Sequence, residues 1–139
     1  MSAHGFNPMR WDCSKRGCFN IKKRLKFEVF YDLLKGSVSF SDVDGIVEIN
    51  SRALILEWKD APVDISIGQY KMFERITKGQ LITVYCVAGN PEFMSVSHLA
   101  MFVNGEWKPW EQCTLEKLRA KIAAFRRWAG VNPGIWPNK

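Results

Sequence analysis

The stretch FSDVDGIVEINSRALILEWK, residues 40–59, constrains the fold of this chain more than any other. Asn50-Ser51 punctuates it as a two-residue turn between two extended runs. With that turn, Ile49 faces Arg52, Val47 faces Leu54, Gly45 faces Leu56 and Val43 faces Trp58. This face is almost wholly apolar and is expected to belong to the core. The other face pairs Glu48 with Ala53, Ile46 with Ile55, Asp44 with Glu57 and Asp42 with Lys59. A slip of one residue would scatter this segregation over both faces, so the pattern itself supports the register.

The register sets Asp44 directly across from Glu57, with Cβ atoms roughly 4.5–5.5 Å apart. Like charges so placed repel and need compensation. Asp42 and Lys59, one step along, offset part of the repulsion, with Asp42 read as the partner of Lys59. A divalent cation would offset more, since Mg²⁺ commonly takes one or two carboxylates together with substrate phosphate. Two acids with a lysine beside them suit metal-assisted phosphodiester hydrolysis. The metal activates a water and stabilises charge on phosphate, and the lysine orients or deprotonates the water or neutralises the developing charge. The structural alternative is a surface ion-pair ladder on the open face of a hairpin. The same tripeptide EWK recurs at Glu106-Trp107-Lys108. This copy follows the Asn104-Gly105 turn and has no facing carboxylate, so no chemistry is assigned to it.

The 139 residues suit one domain, with an irregular segment over 1–19 and a loosely ordered tail over 131–139. Apolar residues at Ile21, Leu25, Val29 and Leu33 predict a first helix over 20–35, capped by Asn20 and ended by Gly36. Leu25, Phe27, Val29 and Tyr31 also alternate as a strand would, and the helix is preferred. Extended structure is expected over 37–48, strands over 53–59 and 81–88, and a helix over 66–78 closed by Gly79. A hairpin over 95–103 and 106–110 turns at Asn104-Gly105. Thr114 caps a last helix whose stripe is Leu115, Leu118, Ile122 and Phe125, ended by Gly130. This order predicts an α/β fold: a mixed central sheet flanked by helices.

The net charge of +6 suits a polyanionic partner, because phosphate contacts release counterions. Basic residues cluster near the N-terminus, among them Arg16, Lys22, Lys23, Arg24 and Lys26, and this cluster is the candidate for nucleic-acid contact. Lys117, Arg119, Lys121, Arg126 and Arg127 read as the solvated face of the last helix. Trp11, Trp107, Trp110 and Trp136 could stack on bases, though core packing or an interface is the preferred reading. Cys13 and Cys18 have C-x4-C spacing without a second clear pair, so reduced thiols are preferred over structural zinc. Without an apolar N-terminal region or a spanning stretch, a cytoplasmic protein with no membrane association is expected.

With Asp44, Glu57 and Lys59 in place, residues 20–90 resemble the PD-(D/E)XK nuclease superfamily. An acidic residue on one strand is followed there by (D/E)-x-K on the next. The 13-residue step from Asp44 to Glu57 resembles small Holliday-junction resolvases and virus-type replication-repair nucleases. Val43 stands where the Pro of the motif name would be. The resemblance implies a restriction-endonuclease-like core binding Mg²⁺ or Mn²⁺, with Asp44 and Glu57 as ligands. Glu28 on the first helix is the candidate third ligand, joined by a main-chain carbonyl near Trp58. Gln69, at the start of the helix after the motif strand, matches a glutamine often found there and would position the water or backbone. The implied activity is an endonuclease acting on structured or branched DNA in replication or recombination. Such minimal cores resemble proteins of phages and mobile elements working in a bacterial host, many of them homodimers. The alternatives are a nucleic-acid-binding module without cleavage, or a nuclease that prefers RNA.

Overall fold

The computed structural model describes residues 26–34, 40–41 and 43–135. The chain forms two compact units, Met1–Ser41 and Asp42–Lys139. In the first, Phe27–Leu33 is a 3-10 helix. An α-helix was the expectation, and the difference has a local cause. Phe27, Val29, Phe30 and Tyr31 are aromatic or β-branched and lose side-chain freedom in an α-helix. The tighter helix aligns residues three apart. Phe27 stacks on Phe40 at 5.4 Å between centroids, and Phe30 meets Phe40 edge-on at 5.9 Å. The expected Asn20 cap and Gly36 stop lie outside the described residues.

The second unit is built on a five-stranded mixed sheet with one helix on each face, an α/β arrangement. Its strands are β1 (Gly45–Ile49), β2 (Arg52–Lys59), β3 (Ile82–Asn90), β4 (Ser95–Val103) and β5 (Glu106–Gln112), ordered in space as in sequence. All neighbours are antiparallel except β2 and β3, which run parallel. A parallel pair requires a crossover, and α1 (Ile67–Ile76) provides it, while α2 (Leu115–Val131) follows β5. Ser66 and Thr114 cap the two helices by accepting from the N–H groups of Gln69 and Lys117. No helix among the described residues is long and apolar enough to cross a membrane.

The β1–β2 register agrees with the segregation argument at every paired position: Gly45 with Leu56, Ile46 with Ile55, Val47 with Leu54, Glu48 with Ala53 and Ile49 with Arg52. Asn50 and Ser51 both take positive φ, 52° and 68°, as a type I′ hairpin turn requires. The turn at Asn104-Gly105 does the same, with φ of 52° and 80°.

Both faces of β2 and β3 are covered, which corrects the expectation of a single core face on the hairpin. Leu54, Tyr85, Val87 and Leu99 pack with Leu118, Phe125 and Ala129 of α2. Ile55, Val84, Cys86, Ala100 and Phe102 pack with Phe73 of α1. β1 is the exposed edge, where Ile46 and Val47 remain open to solvent. At the register shift between Ala88 and Gly89, the chain passes so close to β4 that a Cβ on Gly89 would overlap the Ser95 carbonyl.

Helix α2 runs through Gly130, its expected stop, to Val131. Its last carbonyls need no glycine cap because side chains satisfy them. The Asn50 amide donates to the carbonyls of Ala129 and Gly130, each at 3.2 Å, and the Asn132 amide donates to Trp128 at 3.0 Å. Gly134 N–H donates to the Asn50 carbonyl at 2.8 Å, so residues 131–135 dock on the hairpin turn rather than forming part of a loose tail. Replacing Asn50 by Gly keeps the left-handed backbone and removes only the amide. It is expected to lower unfolding free energy by about 1–2 kcal/mol in urea titrations, with an unchanged far-ultraviolet circular dichroism spectrum.

Candidate active site

At the end of the β1–β2 hairpin, the ladder stops one pair short of Asp44 and Glu57. Asp44 sits in a bend before β1, and its Oδ2 accepts the main-chain N–H of Trp58 at 2.6 Å. The acidic pair expected as cross-strand partners is therefore not a ladder pair. One carboxylate is turned onto the backbone, and that hydrogen bond supplies compensation that the bare repulsion argument lacked. Trp58 contributes this N–H as well as being the residue whose carbonyl was expected to join a metal. Its indole N–H donates to the Gly89 carbonyl at 3.0 Å and holds the strand end to β3.

Glu57 points to the opposite face from Trp58, under α1, and is only 8% exposed. The ion-pair ladder on an open face is thereby overturned as a description of this end of β2. A carboxylate this buried requires partners. Gln69, in the first turn of α1, donates from Nε2 to Oε1 of Glu57 at 3.1 Å and accepts from Lys59 Nζ at its own Oε1 at 2.7 Å. Lys59 Nζ lies 3.8 Å from Glu57 Oε1. Glu57, Gln69 and Lys59 thus form one bonded chain, with the amide oriented by an acceptor on one side and a donor on the other. Gln69, expected to position the water or backbone, bridges the acid and the lysine.

The second EWK copy shows what the local sequence does without these surroundings. Glu106 and Lys108 lie on edge strand β5, where they form a direct 3.0 Å ion pair with side chains 72% and 48% exposed. Lys59 and Glu57 have side chains 23% and 11% exposed and lie 3.8 Å apart, with Gln69 hydrogen-bonded to both. The difference comes from α1 and from the parallel pairing of Glu57 with Cys86.

Cys86 lies on the strand expected over 81–88, which sequence reasoning did not connect to the site. Burial, and the negative Glu57 alongside, push its thiol from an ordinary 9.0 up to about 12, against an opposing pull from Lys59. Nothing local in the sequence signals this neighbour, because the β2–β3 register is set across the crossover. Cys86 and Cys113 are buried free thiols. Cys13, Cys18, Trp11 and Trp136 lie outside the described residues, as does Asp42.

Glu28 is exposed on the 3-10 helix of the first unit, whereas Asp44, Glu57, Lys59 and Gln69 all belong to the second. Among the described residues no group of three His, Cys, Asp or Glu could hold a metal ion. At the candidate site Asp44 and Glu57 offer carboxylates, hard oxygen donors of the kind Mg²⁺ accepts alongside substrate phosphate. Of the proposed nucleic-acid contacts, Lys26 immediately precedes the 3-10 helix, and Arg16, Lys22, Lys23 and Arg24 lie outside the described residues. The positive excess resides largely in the first unit, with eight Lys and Arg against three acids, compared with twelve against eleven in the second. Lys117, Arg119, Lys121, Arg126 and Arg127 are exposed on α2, as expected of a solvated face. Comparison with protein-family models, curated proteins and solved structures returned no match.

The thiol's position sets a pH dependence. Tyr85, next to Cys86, is also raised by burial. Both groups keep their protons in the folded protein at pH values where the unfolded chain has begun to lose them. The unfolded state then binds fewer protons, so stability declines as pH rises above about 9. The expected slope from Cys86 is up to about 1.4 kcal/mol per pH unit between pH 9 and 12, and Tyr85 adds to it above about pH 10. Urea unfolding across that range should show it, and Cys86→Ala should flatten the curve. Cys86 should also resist alkylation at pH 8 until urea unfolds the protein.

Proposed function

We propose that this protein is a divalent-metal-dependent nuclease hydrolysing DNA phosphodiester bonds, with a restriction-endonuclease-like core. The observation that carries the reading is the bonded chain Glu57–Gln69–Lys59, with Asp44 anchored to the intervening Trp58. A structural ion pair needs no such arrangement, as Glu106 and Lys108 demonstrate. The succession hairpin, α1, parallel strand supports the same reading, because it is the element order the motif resembles.

In this reading Asp44 and Glu57 would hold Mg²⁺ or Mn²⁺, joined by the Trp58 carbonyl or by substrate oxygens. The bound metal would lower the pKa of a water and neutralise charge on the phosphate. Lys59 brings a positive charge to the phosphate or takes part in proton transfer with the water. Gln69 is a positioning residue: its carbonyl aims the ammonium, and its amide fixes the carboxylate oxygen. Cys86, held protonated beside Glu57, adds no charge to the site.

One observation favours a second reading, a nucleic-acid-binding module without cleavage. The Oδ2 oxygen of Asp44 already accepts a backbone hydrogen bond. Labelled linear, single-stranded, flapped and four-way-junction DNA, with matched RNA, incubated with Mg²⁺, Mn²⁺ or EDTA decides between them. The nuclease cuts DNA only with metal, and Lys59→Ala or Glu57→Ala lowers the rate by about 100-fold or more. Gln69→Ala acts in the same direction with a smaller loss. Tight binding with no cutting in either metal gives the binding module the lead, and faster cutting of RNA reverses the substrate preference.

A further inference from the structure

Between the start of α1 and β5, Tyr70, Trp107 and Trp110 wall a cleft of about 590 Å³ with Ile65, Ile67 and Pro109, and Asp64 completes its lining. The three rings are half-buried and back onto the α1-side core. Their geometry is fixed. Trp107 meets Trp110 at 86° and 6.3 Å between centroids, and Tyr70 meets Trp107 at 62° and 6.1 Å. The Trp110 indole N–H donates to the Val63 carbonyl at 3.0 Å, tying the β2–α1 loop to β5. Core packing accounts for the inner edges of these rings and leaves the open cleft without a role.

We infer that this cleft stacks an unpaired nucleobase, so that the substrate of the proposed nuclease carries a single-stranded segment. The inference rests on that proposal for its partner, and on three observations for its chemistry. First, the cleft adjoins the site along the chain. Gln69 bridges Glu57 and Lys59, and the very next residue, Tyr70, lines the cleft, with consecutive Cα atoms about 3.8 Å apart. Cross-strand pairing runs from Glu57 through Cys86 and Ala100 to the β5 irregularity that holds Pro109 and Trp110, three strand spacings or roughly 14 Å, so a strand with a phosphate at Lys59 reaches the rings a few nucleotides along. Second, rigid aromatic faces stack bases at low entropic cost, and a cleft of this size holds a nucleotide. Lys71 and Arg75, exposed on α1, supply positive charge for the attached backbone. Third, the lone carboxylate in the lining accepts hydrogen bonds and donates none. It suits a base edge with two adjacent donors, as guanine has, over thymine with one.

The test uses the full chain in EDTA, so that binding is read without cutting. A blunt duplex is compared with the same duplex carrying a short single-stranded extension of guanine or of thymine, by anisotropy and by quenching of tryptophan fluorescence. The extension should tighten binding by about 5- to 100-fold with quenching, guanine more than thymine. Trp110→Ala should abolish the gain and leave blunt-duplex affinity unchanged, Trp110→Phe should retain most of it, and Asp64→Asn should remove the guanine preference. Equal wild-type affinity for blunt and extended duplexes overturns the inference whether or not any variant folds. So does quenching by tetramethylammonium with none by the extensions, which would mark a cage for alkylated cations. A protein that binds the extension and cuts nothing keeps the cleft and loses the nuclease, and one that cuts without regard to the extension does the reverse.

Discussion

The parallel pairing of β2 with β3 is the constraint on which the rest of the second unit depends. Parallel neighbours cannot be joined by a tight turn, so the chain must leave the sheet, cross one face and return. That crossover is α1. Its presence turns the outer face of the hairpin into an interior, buries Glu57 beneath a helix and brings Gln69 to it from ten residues beyond Lys59. It also pairs Glu57 with Cys86, a neighbour 29 positions away. An all-antiparallel sheet of the same strands would leave Glu57 and Lys59 as exposed as Glu106 and Lys108.

The burial of Glu57 has a cost that the arrangement visibly meets. An ionised carboxylate taken out of water is stabilised only when it is paired and hydrogen-bonded. Here the amide of Gln69 and the ammonium of Lys59 both approach the same oxygen, Oε1. Asp44 stays exposed at the sheet edge, where its carboxylate accepts a backbone N–H. Retaining the buried acid Glu57 beside a lysine contributes little to stability by itself. Buried ionic groups often give way to apolar ones without loss.

The hairpin turn has a second role that its sequence did not announce. Asn-Ser in left-handed backbone matches the twist of the strands, and that much is local. Its amide also serves as the cap for α2, and its carbonyl receives Gly134. Arg52, the first residue after the turn, packs over the Trp128 ring at 4.2 Å and donates to carbonyls of Gln80 and Asn132. The candidate site at one end of the hairpin and the α2 anchor at the other therefore share one rigid element.

The sequence by itself determined what depends on short-range pattern. Alternation over residues 40–59 gave the hairpin register, Asn104-Gly105 gave the second hairpin, and Ser66 and Thr114 marked both helix starts, because side-chain period and turn geometry are local. Asp44, Glu57, Lys59 and Gln69 were legible for the same reason: two strands and a helix start fix them within 26 residues. The 3-10 form of residues 27–33 was not legible, since it turns on packing against Phe40. Nor was the end of α2, where side chains from the hairpin turn and Asn132 replace the expected glycine cap. The Cys86 neighbour and the aromatic cleft required β3, β4 and β5 to be set beside α1. Tertiary structure alone decided these, because a residue's burial and its partners come from chain segments whose distance in sequence carries no record of their distance in space.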